Sequence, residues 1–453
     1  MPLKISRILH AGYVFDCDGT AIAFDPIVEN PFSRNCHAFP DVRFDLDQVR
    51  QLRLDAVFIS HFHDDHLSLE SLDFLDRATP IYLYCIFDEL FQMIRTLGFE
   101  KVARLRVDVP VRVGAIEVIP RRALDDDVDS LFQVRAAGVN VLNVVDSWIG
   151  PETLAQLAGL GPWDMVLWPF QTMREVAVIA PRLAGPARPT LPDDWLEQLQ
   201  VLAPRYIVPS SCQFVQEDWS WYNQAMFPVT YRQFAREVGV AVPKAKVLRL
   251  DPSASVLLDA DGLTQAAPLP WVIPVGPQEI DFDYRPGLAP PATADIARRF
   301  PALSEADAAL VLDFCRHGLL ERYRDMELFE DSYFQQPRLW RLSLYRHDGA
   351  TTVLHYRLDG DLIDLVPSPG LDEAPSWTTD VPLAKCHAAL VLGESLTSMY
   401  MRINDADFDA ATLEQLKQAD ITDDPLIRCL FNDAIGAYQA AQLKRLGYCV
   451  DTH

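Results

Sequence analysis

The side chains best suited to chemistry in this 453-residue chain are six consecutive residues: His61, Phe62, His63, Asp64, Asp65 and His66. They directly follow the apolar run 55–60, which is typical of a buried strand. Alternate side chains of an extended backbone point the same way, so His61 and His63 are expected to face one metal ion. Asp65 and His66 fall at the next turn and suit a second ion beside the first. A solvated loop before a helix does not require so many ligand-type residues.

The elements that must position this segment alternate between strand and helix patterns. Asp16-Cys17-Asp18-Gly19 is typical of a hairpin turn between two short apolar strands. The residues from Ser68 to Arg77 predict a helix, with Ser68 as its N-cap. Apolar runs predict further strands at 81–84, 116–119, 131–135, 139–145, 165–168 and 206–209. This alternation predicts an α/β fold with a mixed sheet.

A stretch rich in proline and glycine divides the chain. We expect residues 1–275 to form a first domain that holds the histidine segment, 276–293 a linker, and 294–453 a smaller accessory α+β domain. In the accessory domain, sequence periodicity predicts helices and strands at 305–325, 339–345, 352–358 and 425–446. A chain of this length exceeds one ordinary core, which agrees with more than one domain.

The composition indicates a globular protein with an acidic surface. Lys and Arg total 40 and Asp and Glu 64, so the formal net charge is 40 − 64 = −24. Such a charge repels nucleic acid and anionic membranes, so neither is an expected partner. No run approaches the ~18 apolar residues of a membrane span, and no signal-peptide-like run opens the chain. We therefore expect a soluble, cytoplasmic protein that acts on a small molecule and keeps its scattered cysteines reduced.

The pattern His-x-His-x-Asp-His after a strand resembles the signature of the metallo-β-lactamase superfamily of hydrolases and oxidoreductases. His10-Ala11-Gly12 and Phe24-Asp25-Pro26 resemble the opening of its ascorbate-phosphate lactonase-like and phospholipase D-like branch. The segments 25–40 and 129–148 are similar to the metallo-β-lactamase part of CMP-sialic-acid hydroxylases. The resemblance covers about residues 5–275. It implies an αββα metallo-β-lactamase-like sandwich with the site at one edge of the two sheets.

The resemblance also implies a divalent metal cofactor, expected as two ions of zinc, iron or manganese. The segment 143–147, at a strand end, resembles the superfamily's aspartate motif, in which the aspartate, Asp146 here, bridges the two metals. The other implied ligands are His61, His63, Asp65 and His66. Asp65 is also a candidate catalytic residue that orients the nucleophile and accepts its proton. A single ion held by His61, His63 and Asp146 is the alternative.

Two histidines that relatives usually supply are missing. Residues 67–145 contain no histidine, and within the acidic loop 121–129 we take Asp127 as a candidate ligand, with a solvated loop as the alternative. The late histidine is replaced by the segment 207–213. There Cys212 could ligate as a thiolate or contact substrate, Ser211 could leave the position to water, or Cys212 could be a buried structural thiol. Carboxylates in place of imidazoles move metal preference from zinc toward iron or manganese.

Three further residues are candidates for supporting roles. Asp25 is expected to accept hydrogen bonds from the histidine loop and orient it. His10 is expected either to project from its strand toward the site or to pack in the core. His37, in a loop rich in turn-forming residues, is a candidate substrate contact, with an ordinary surface histidine as the alternative.

Three functions fit these residues. The first is hydrolysis of an ester, lactone or phosphodiester, because a metal lowers the pKa of bound water to about 7. The second is hydroxylation of a small molecule by a non-haem diiron oxygenase. Since the sequence has no Cys/His pattern for a Rieske cluster, that reaction needs an external electron donor. The third is a non-catalytic, metal-stabilised binding module. The sequence favours hydrolysis narrowly, by analogy with the commoner chemistry of this fold.

Overall fold

Two large β-sheets dominate the N-terminal part of the chain in the computed structural model. The structure describes residues 1–171, 173–185, 188–226, 229–284, 290–367, 369–370, 373–432 and 434–449. Residues 285–289 of the expected linker lie outside the described residues. The strands are β1 (Leu3–Arg7), β2 (Tyr13–Cys17), β3 (Thr20–Phe24), β4 (His37–Ala38), β5 (Val42–Phe44), β6 (Ala56–Ile59), β7 (Ile81–Leu83), β8 (Val102–Arg104), β9 (Val111–Val113), β10 (Ile116–Arg122), β11 (Ser130–Ala136), β12 (Val139–Asn143), β13 (Met165–Trp168), β14 (Tyr206–Pro209), β15 (Phe214–Val215), β16 (Lys246–Val247), β17 (Ser255–Leu258), β18 (Leu263–Ala266), β19 (Val272–Pro274), β20 (Arg338–Tyr345), β21 (Thr351–Asp359), β22 (Leu362–Val366), β23 (Trp377–Pro382) and β24 (Arg402–Ile403).

The helices lie mainly between the parallel strands and in the C-terminal part. They are α1 (Leu46–Arg50), α2 (Leu69–Leu72), α3 (Asp88–Thr96), α4 (Pro151–Gly159), α5 (Glu175–Ile179), α6 (Asp193–Leu202), α7 (Tyr222–Ala225), α8 (Tyr231–Ala241), α9 (Thr293–Ala297), α10 (Glu305–Asp313), α11 (Leu319–Asp325), α12 (Leu383–Leu392), α13 (Ala410–Leu416), α14 (Pro425–Phe431) and α15 (Ala437–Arg445). A π-helical turn (Phe314–Gly318) joins α10 to α11, and short 3₁₀ helices occur at Tyr333–Gln335, Leu396–Ser398 and Ile421–Asp423. Among the described residues, no helix is long and apolar enough to cross a membrane.

Each of the two large sheets combines antiparallel strands with parallel strands. The eight-stranded sheet has the order β18-β17-β1-β2-β3-β6-β7-β8, and the seven-stranded sheet has the order β16-β14-β13-β12-β11-β10-β9. In the first sheet the strands from β18 to β3 are antiparallel and those from β3 to β8 parallel. In the second, β9 to β12 are antiparallel and β12 to β16 parallel. Each sheet is therefore mixed, as the sequence predicts.

The layers follow from which face of each strand is apolar. Phe24 and Phe58 of the first sheet meet Phe132 of the second, and the ring centroids of Phe24 and Phe132 are 5.0 Å apart. Because successive strand residues face opposite sides, the neighbours Val57 and Ile59 point outward, into the cluster that contains residues of α2 and α3. Helices α4, α6 and α8 cover the outer face of the second sheet in the same way. The result is the expected four-layer αββα sandwich.

A third sheet belongs to the C-terminal part of the chain. It has five strands in the order β22-β21-β20-β23-β24, with β20 and β23 parallel and the other pairs antiparallel. Helices precede and follow the strands of this sheet along the sequence, so this part of the chain has the expected α+β character. The exact boundaries 1–275 and 294–453 remain a prediction.

Local predictions succeed where the signal is a turn or a cap. Asp18 and Gly19 have φ values of 53° and 77°, the left-handed conformations that a two-residue hairpin turn requires. Ser68 caps α2 through a hydrogen bond from the Ser71 amide, but α2 ends at Leu72 rather than near Arg77. The predicted helix 425–446 is interrupted, because Gly436 adopts φ 72° before α15.

Candidate metal centre

The candidate site lies where several strands of the two sheets end. Asp25 follows β3, the histidine segment follows β6, and Asp146 follows β12. Carboxyl ends of parallel strands meet at one sheet edge, which is where open α/β sheets place their ligand sites. The Ser130 hydroxyl donates to the Ser60 carbonyl at 3.0 Å and so joins the second sheet to the start of the segment. The sandwich itself therefore brings distant parts of the sequence together.

The first cluster consists of two histidines and one aspartate. The Nε2 of His61 and the Nδ1 of His63 are 2.9 Å apart, and a carboxylate oxygen of Asp129 lies within 4.8 Å of one ring nitrogen of each histidine. His61 is 1% exposed, whereas His63 is exposed, so the cluster opens to solvent on the His63 side. The alternation of side chains along the extended segment explains why His61 and His63 converge.

The second cluster contains Asp65, His66 and Asp146, with His10 beside them. The Nε2 of His66 lies 3.0 Å from Oδ2 of Asp146 and 3.7 Å from Oδ2 of Asp65. The Nε2 of His10 lies 3.1 Å from Oδ2 of Asp65 and 3.2 Å from the Nε2 of His66. The two clusters adjoin, because the rings of His61 and His66 have centroids 4.0 Å apart.

Asp25 and Ser60 fix the orientation of two imidazoles. Asp25 accepts hydrogen bonds from the Ser60 amide at 2.8 Å and the Ser60 hydroxyl at 2.7 Å, and its Oδ2 lies 3.0 Å from the Nδ1 of His66. Because the Ser60 hydroxyl donates to Asp25, its oxygen accepts from the Nδ1 of His61, 2.9 Å away. Both rings thus hold a proton on Nδ1 and direct Nε2 into the site. This carboxylate–histidine arrangement is typical of metal-binding histidines.

His10 has the opposite tautomer. Its Nδ1 accepts a hydrogen bond from the Cys212 amide at 3.0 Å, so the proton of the neutral ring resides on Nε2. An Nε2–H group donates and has no lone pair for a metal. His10 therefore donates to Asp65 and orients that carboxylate, although its distance alone would allow it to be a ligand.

The backbone at the site is held in unfavourable conformations. Four non-glycine residues there have positive φ: His10 (46°), Asp25 (39°), Val145 (63°) and Cys212 (57°). Left-handed conformations at such residues cost on the order of 1–3 kcal/mol each and persist only where the surroundings enforce them. The buried guanidinium of Arg7 helps to enforce the conformations around His10 and Cys212, because it donates hydrogen bonds to the carbonyls of His10 and Ser210.

Neighbouring charges and burial shift the pKa values of several residues in the clusters. Burial and the negative charge of Asp146 raise the pKa of Asp129 to about 6. In the metal-free site burial lowers the pKa of His66, but the charges of Asp146 and Asp65 outweigh it and hold that pKa well above its ordinary value. The imidazolium lowers the pKa of both carboxyls against the effect of their burial, and an ion bound at Nε2 would replace this proton. Burial, His66 and His63 hold the pKa of His61 well below its ordinary value, which leaves the neutral ring that a metal requires.

These residues fit a pair of divalent ions. Oδ1 of Asp129 and Oδ1 of Asp146 are buried without a hydrogen-bond partner among the described residues. Buried carboxylate oxygens without partners are costly unless a cation or water satisfies them. Metal–nitrogen bonds of about 2.0–2.1 Å put two ligands of one ion roughly 3 Å apart, which matches the facing imidazoles. The residues that could hold ions are His61, His63 and Asp129 in the first cluster and Asp65, His66 and Asp146 in the second.

Three sequence candidates lie outside these clusters: Asp127, His37 and Cys212. Asp127 is exposed on the acidic loop, and Asp129 of the same loop approaches His61 instead. Asp129 directly precedes β11, so the sheet fixes its position, whereas Asp127 lies in the turn before it. His37 is half-buried on β4, paired with Val215 of β15.

Cys212 contacts the site through its backbone. Burial, followed by the charges of Asp146 and Asp65, raises the pKa of the thiol well above its ordinary value, so it stays protonated. Its amide sets the tautomer of His10. Sequence reasoning missed Ser60, whose only signal is that it precedes the histidine segment, and Asp129, which was one of several acidic residues in its loop.

Comparisons with known proteins find likeness at the level of structure. No protein-family model and no curated protein matches the chain. A metallohydrolase of Ignicoccus hospitalis matches with 18% identity and a TM-score of 0.40, over 57% of this chain and 99% of that one. CmlA, a diiron β-hydroxylase of Streptomyces venezuelae, matches with 18% identity and a TM-score of 0.39, over 57% of this chain and 54% of that one. The metallo-β-lactamase fold protein YhfI of Bacillus subtilis matches with 13% identity and a TM-score of 0.39, over 56% and 99%.

At such identities and TM-scores the likeness carries no activity to this chain. The fold rests on the chain's own features, namely two mixed sheets face to face, helices on both outer faces, and a histidine segment at the ends of parallel strands. Together with the motif from His61 to His66, these features identify the N-terminal part of the chain as a metallo-β-lactamase fold.

Proposed function

We propose that this chain is a metal-dependent enzyme that holds two adjacent iron ions and uses O₂ to hydroxylate a small organic substrate. One observation carries the proposal: Asp129 completes a set of two histidines and one carboxylate with His61 and His63. Non-haem iron oxygenases are built on two histidines and one carboxylate, a set that would leave other positions of the ion open. The sequence alone favoured hydrolysis; the position of Asp129 reverses that preference.

The second cluster supports the same metal. Its proposed ligands are the carboxylates of Asp65 and Asp146 and one imidazole, that of His66. The whole set is three imidazoles and three carboxylates, without a thiolate ligand among the described residues. Carboxylate oxygens are hard ligands that suit iron and manganese better than zinc.

The chain's own residues would orient the ligands. Asp25 and Ser60 hold the rings of His61 and His66, and the Nε2–H of His10 holds Asp65. The iron pair would supply the capacity to bind and reduce O₂. The overall reaction inserts one oxygen atom into a substrate C–H bond and reduces the other to water. It consumes two electrons from an external donor and two protons.

The test exchanges the carboxylate that carries the proposal. Asp129→His converts the first cluster to three imidazoles, and Asp127→His, in the same loop but exposed, is the matched control. Both variants and the wild type are purified from cells supplied with iron and zinc. We expect iron in the wild type and in Asp127→His, and mainly zinc in Asp129→His, because imidazole suits zinc.

A second measurement tests the chemistry. The iron-loaded proteins are reduced chemically, and their consumption of O₂ is followed with an oxygen electrode. We expect the wild type and Asp127→His to consume O₂, and Asp129→His to lose most of this reaction. Zinc with negligible iron in the wild type, or equal metal content in all three proteins, would overturn the proposal.

Hydrolysis of an ester, lactone or phosphodiester is the second candidate. The observation that favours it is Asp65, whose carboxylate stays ionised because of His66 and His10 and lies beside the proposed ions. An ionised carboxylate there could orient a water molecule and accept its proton. Protein loaded with zinc or manganese and assayed on panels of these three bond types separates the candidates, because cleavage without O₂ supports only hydrolysis.

A further inference from the structure

The last helix of the chain lies directly against the metal-binding segment. Gln439 of α15 is 2% exposed, and its Nε2 donates to the carbonyls of Phe62 and Leu67, each at 2.9 Å. Phe62 lies between the two histidines of the first cluster, and Leu67 follows His66. One side-chain amide thus uses both its hydrogens to join the two ends of the segment.

A second glutamine of α15 extends this contact. Gln442 is fully buried; its Oε1 accepts from the Leu69 amide at 2.7 Å and its Nε2 donates to the Ser68 hydroxyl at 2.9 Å. Ser68 and Leu69 form the start of α2, the helix into which the segment leads. One turn further on, Arg445 pairs with Glu70 at 2.7 Å. The contact therefore runs from the segment into the helix that follows it.

The position of α15 is itself fixed by close packing. Gly393, at the end of α12, has φ 62°, and a Cβ there would lie 2.3 Å from the backbone carbon of Ala437. A side chain at residue 393 could not be accommodated without moving α15. The ring of Tyr438 lies under the guanidinium of Arg34, with 5.4 Å from Cζ to the ring centroid. The helix is thus held from the C-terminal part on one side and from the N-terminal part on the other.

We propose that the C-terminal part of this chain is a structural component of the metal centre: Gln439 and Gln442 of α15 position the segment 61–67 for metal binding. The segment has few hydrogen bonds of its own, chiefly those from the amides of His66 and Leu67 to the His63 carbonyl. Groups that hydrogen-bond to metal ligands typically change metal affinity 10- to 100-fold when removed, and Gln439 acts on the backbone that carries those ligands. Gln439 and Gln442 are positioning residues, and the inference rests on the proposed metal site.

The experiment compares metal affinity in full-length variants. Gln439→Met keeps the length of the side chain and removes both donors, and Gln439→Glu directs a carboxylate at two carbonyl oxygens. The matched control is Arg182→Met. It removes a different contact between the two parts of the chain, the ion pair of Arg182 with Asp407 at 2.6 Å. Both of these residues are far in sequence from the segment 61–67. The dissociation constant for Mn²⁺ is measured by titration, with free Mn²⁺ read from its magnetic resonance signal.

We expect Gln439→Met to weaken Mn²⁺ binding about tenfold or more and Gln439→Glu to weaken it further, with Arg182→Met unchanged. Amide hydrogen exchange of the metal-free proteins is measured alongside. Exchange should increase at residues 61–69 in the Gln439 variants while the strands of both sheets stay protected, which a general loss of stability would not produce.

The outcomes separate this inference from the proposed function. If the wild type binds Mn²⁺ and Gln439→Met binds it equally well, the inference is wrong and the metal site stands. If affinity falls equally in Arg182→Met, the contact acts through overall stability and the inference is again wrong. If the wild type binds neither Mn²⁺ nor iron, the proposed function itself fails.

Discussion

His10 shows how one hydrogen bond decides the role of a residue. Its Nε2 is as close to the second cluster as a metal ligand would be, at 3.1 Å from Asp65. The Cys212 amide occupies Nδ1 and leaves the proton on Nε2, so the ring donates instead of binding a metal. The neighbouring His66 has its Nδ1 at Asp25 and directs its Nε2 toward Asp146, where an ion would bind. Two imidazoles side by side thus have different roles because their partners differ.

This difference predicts opposite effects of one substitution. His10→Gln should still bind two ions per chain at saturating metal, with affinity reduced about tenfold because Asp65 loses a donor. His66→Gln should fail to fill the second site, since it removes a ligand. Metal content per chain after loading and desalting measures both variants. A lost ion in His10→Gln would show that His10 is a ligand after all.

At the scale of elements, polar residues at helix starts tie the C-terminal part together. Asp424 caps α14 by accepting from the amides of Leu426 and Ile427, and the same buried carboxyl accepts from the indole of Trp377 at 2.7 Å and from the Thr379 hydroxyl. One side chain thus joins a helix to an inner strand, β23, of the five-stranded sheet. Removing it leaves four donors without an acceptor.

Asp424→Ala should therefore destabilise the protein strongly. Each buried donor left unpaired costs about 1–3 kcal/mol, and we expect a loss of roughly 3 kcal/mol or more in the free energy of unfolding, measured with denaturant. Asp409→Ala is the matched control, because Asp409 caps α13 by similar bonds at the exposed surface and should cost much less. Equal losses would mean that the buried bonds of Asp424 add nothing.

The same carboxyl has a pH signature. Burial raises the pKa of Asp424 above its ordinary value of 3.8, so the folded state binds this proton more tightly than the unfolded chain. The contribution of this carboxyl to stability must then fall as the pH rises from 3.8 through the pKa of the folded state. The free energy of unfolding of wild type minus that of Asp424→Asn should decrease as the pH rises above the ordinary pKa of 3.8.

At the scale of the whole molecule, metal binding and folding are coupled. The proposed ligands come from three regions of the sequence, near residues 65, 129 and 146, and a helix at residues 437–445 contacts one of them. The unfolded chain cannot present this arrangement, so metal binds the folded state and stabilises it by mass action.

Metal loading should accordingly raise the temperature of unfolding. At a free metal concentration about 100-fold above the dissociation constant, the gain is about 2.7 kcal/mol per site. The measurement is thermal unfolding with saturating Mn²⁺ or with a chelator. The double variant His61→Ala, His66→Ala should show no difference between the two conditions. A shift of equal size in that variant would mean that the ion binds elsewhere.

The sequence by itself determined the features that local patterns encode. The histidine segment predicts a metal site because ligand-type residues recur with the periodicity of a strand. Asp18-Gly19 predicts a hairpin turn because few residue types adopt positive φ readily. The alternation of strands and helices likewise predicts an α/β fold with a mixed sheet, whereas the αββα sandwich is implied by the resemblance of the histidine segment to a known superfamily. Each of these signals lies within a few neighbouring residues, so no knowledge of the fold is needed to read it.

Only the tertiary structure decided which distant residues complete the site. Asp127 and Asp129 are equivalent in sequence, and the start of β11 alone brings Asp129 to His61. The tautomer of His10 depends on an amide 202 residues away, and the contact of Gln439 with the segment spans 377 residues. Such pairings depend on how sheets and helices pack in space, and packing leaves no periodic trace along the chain.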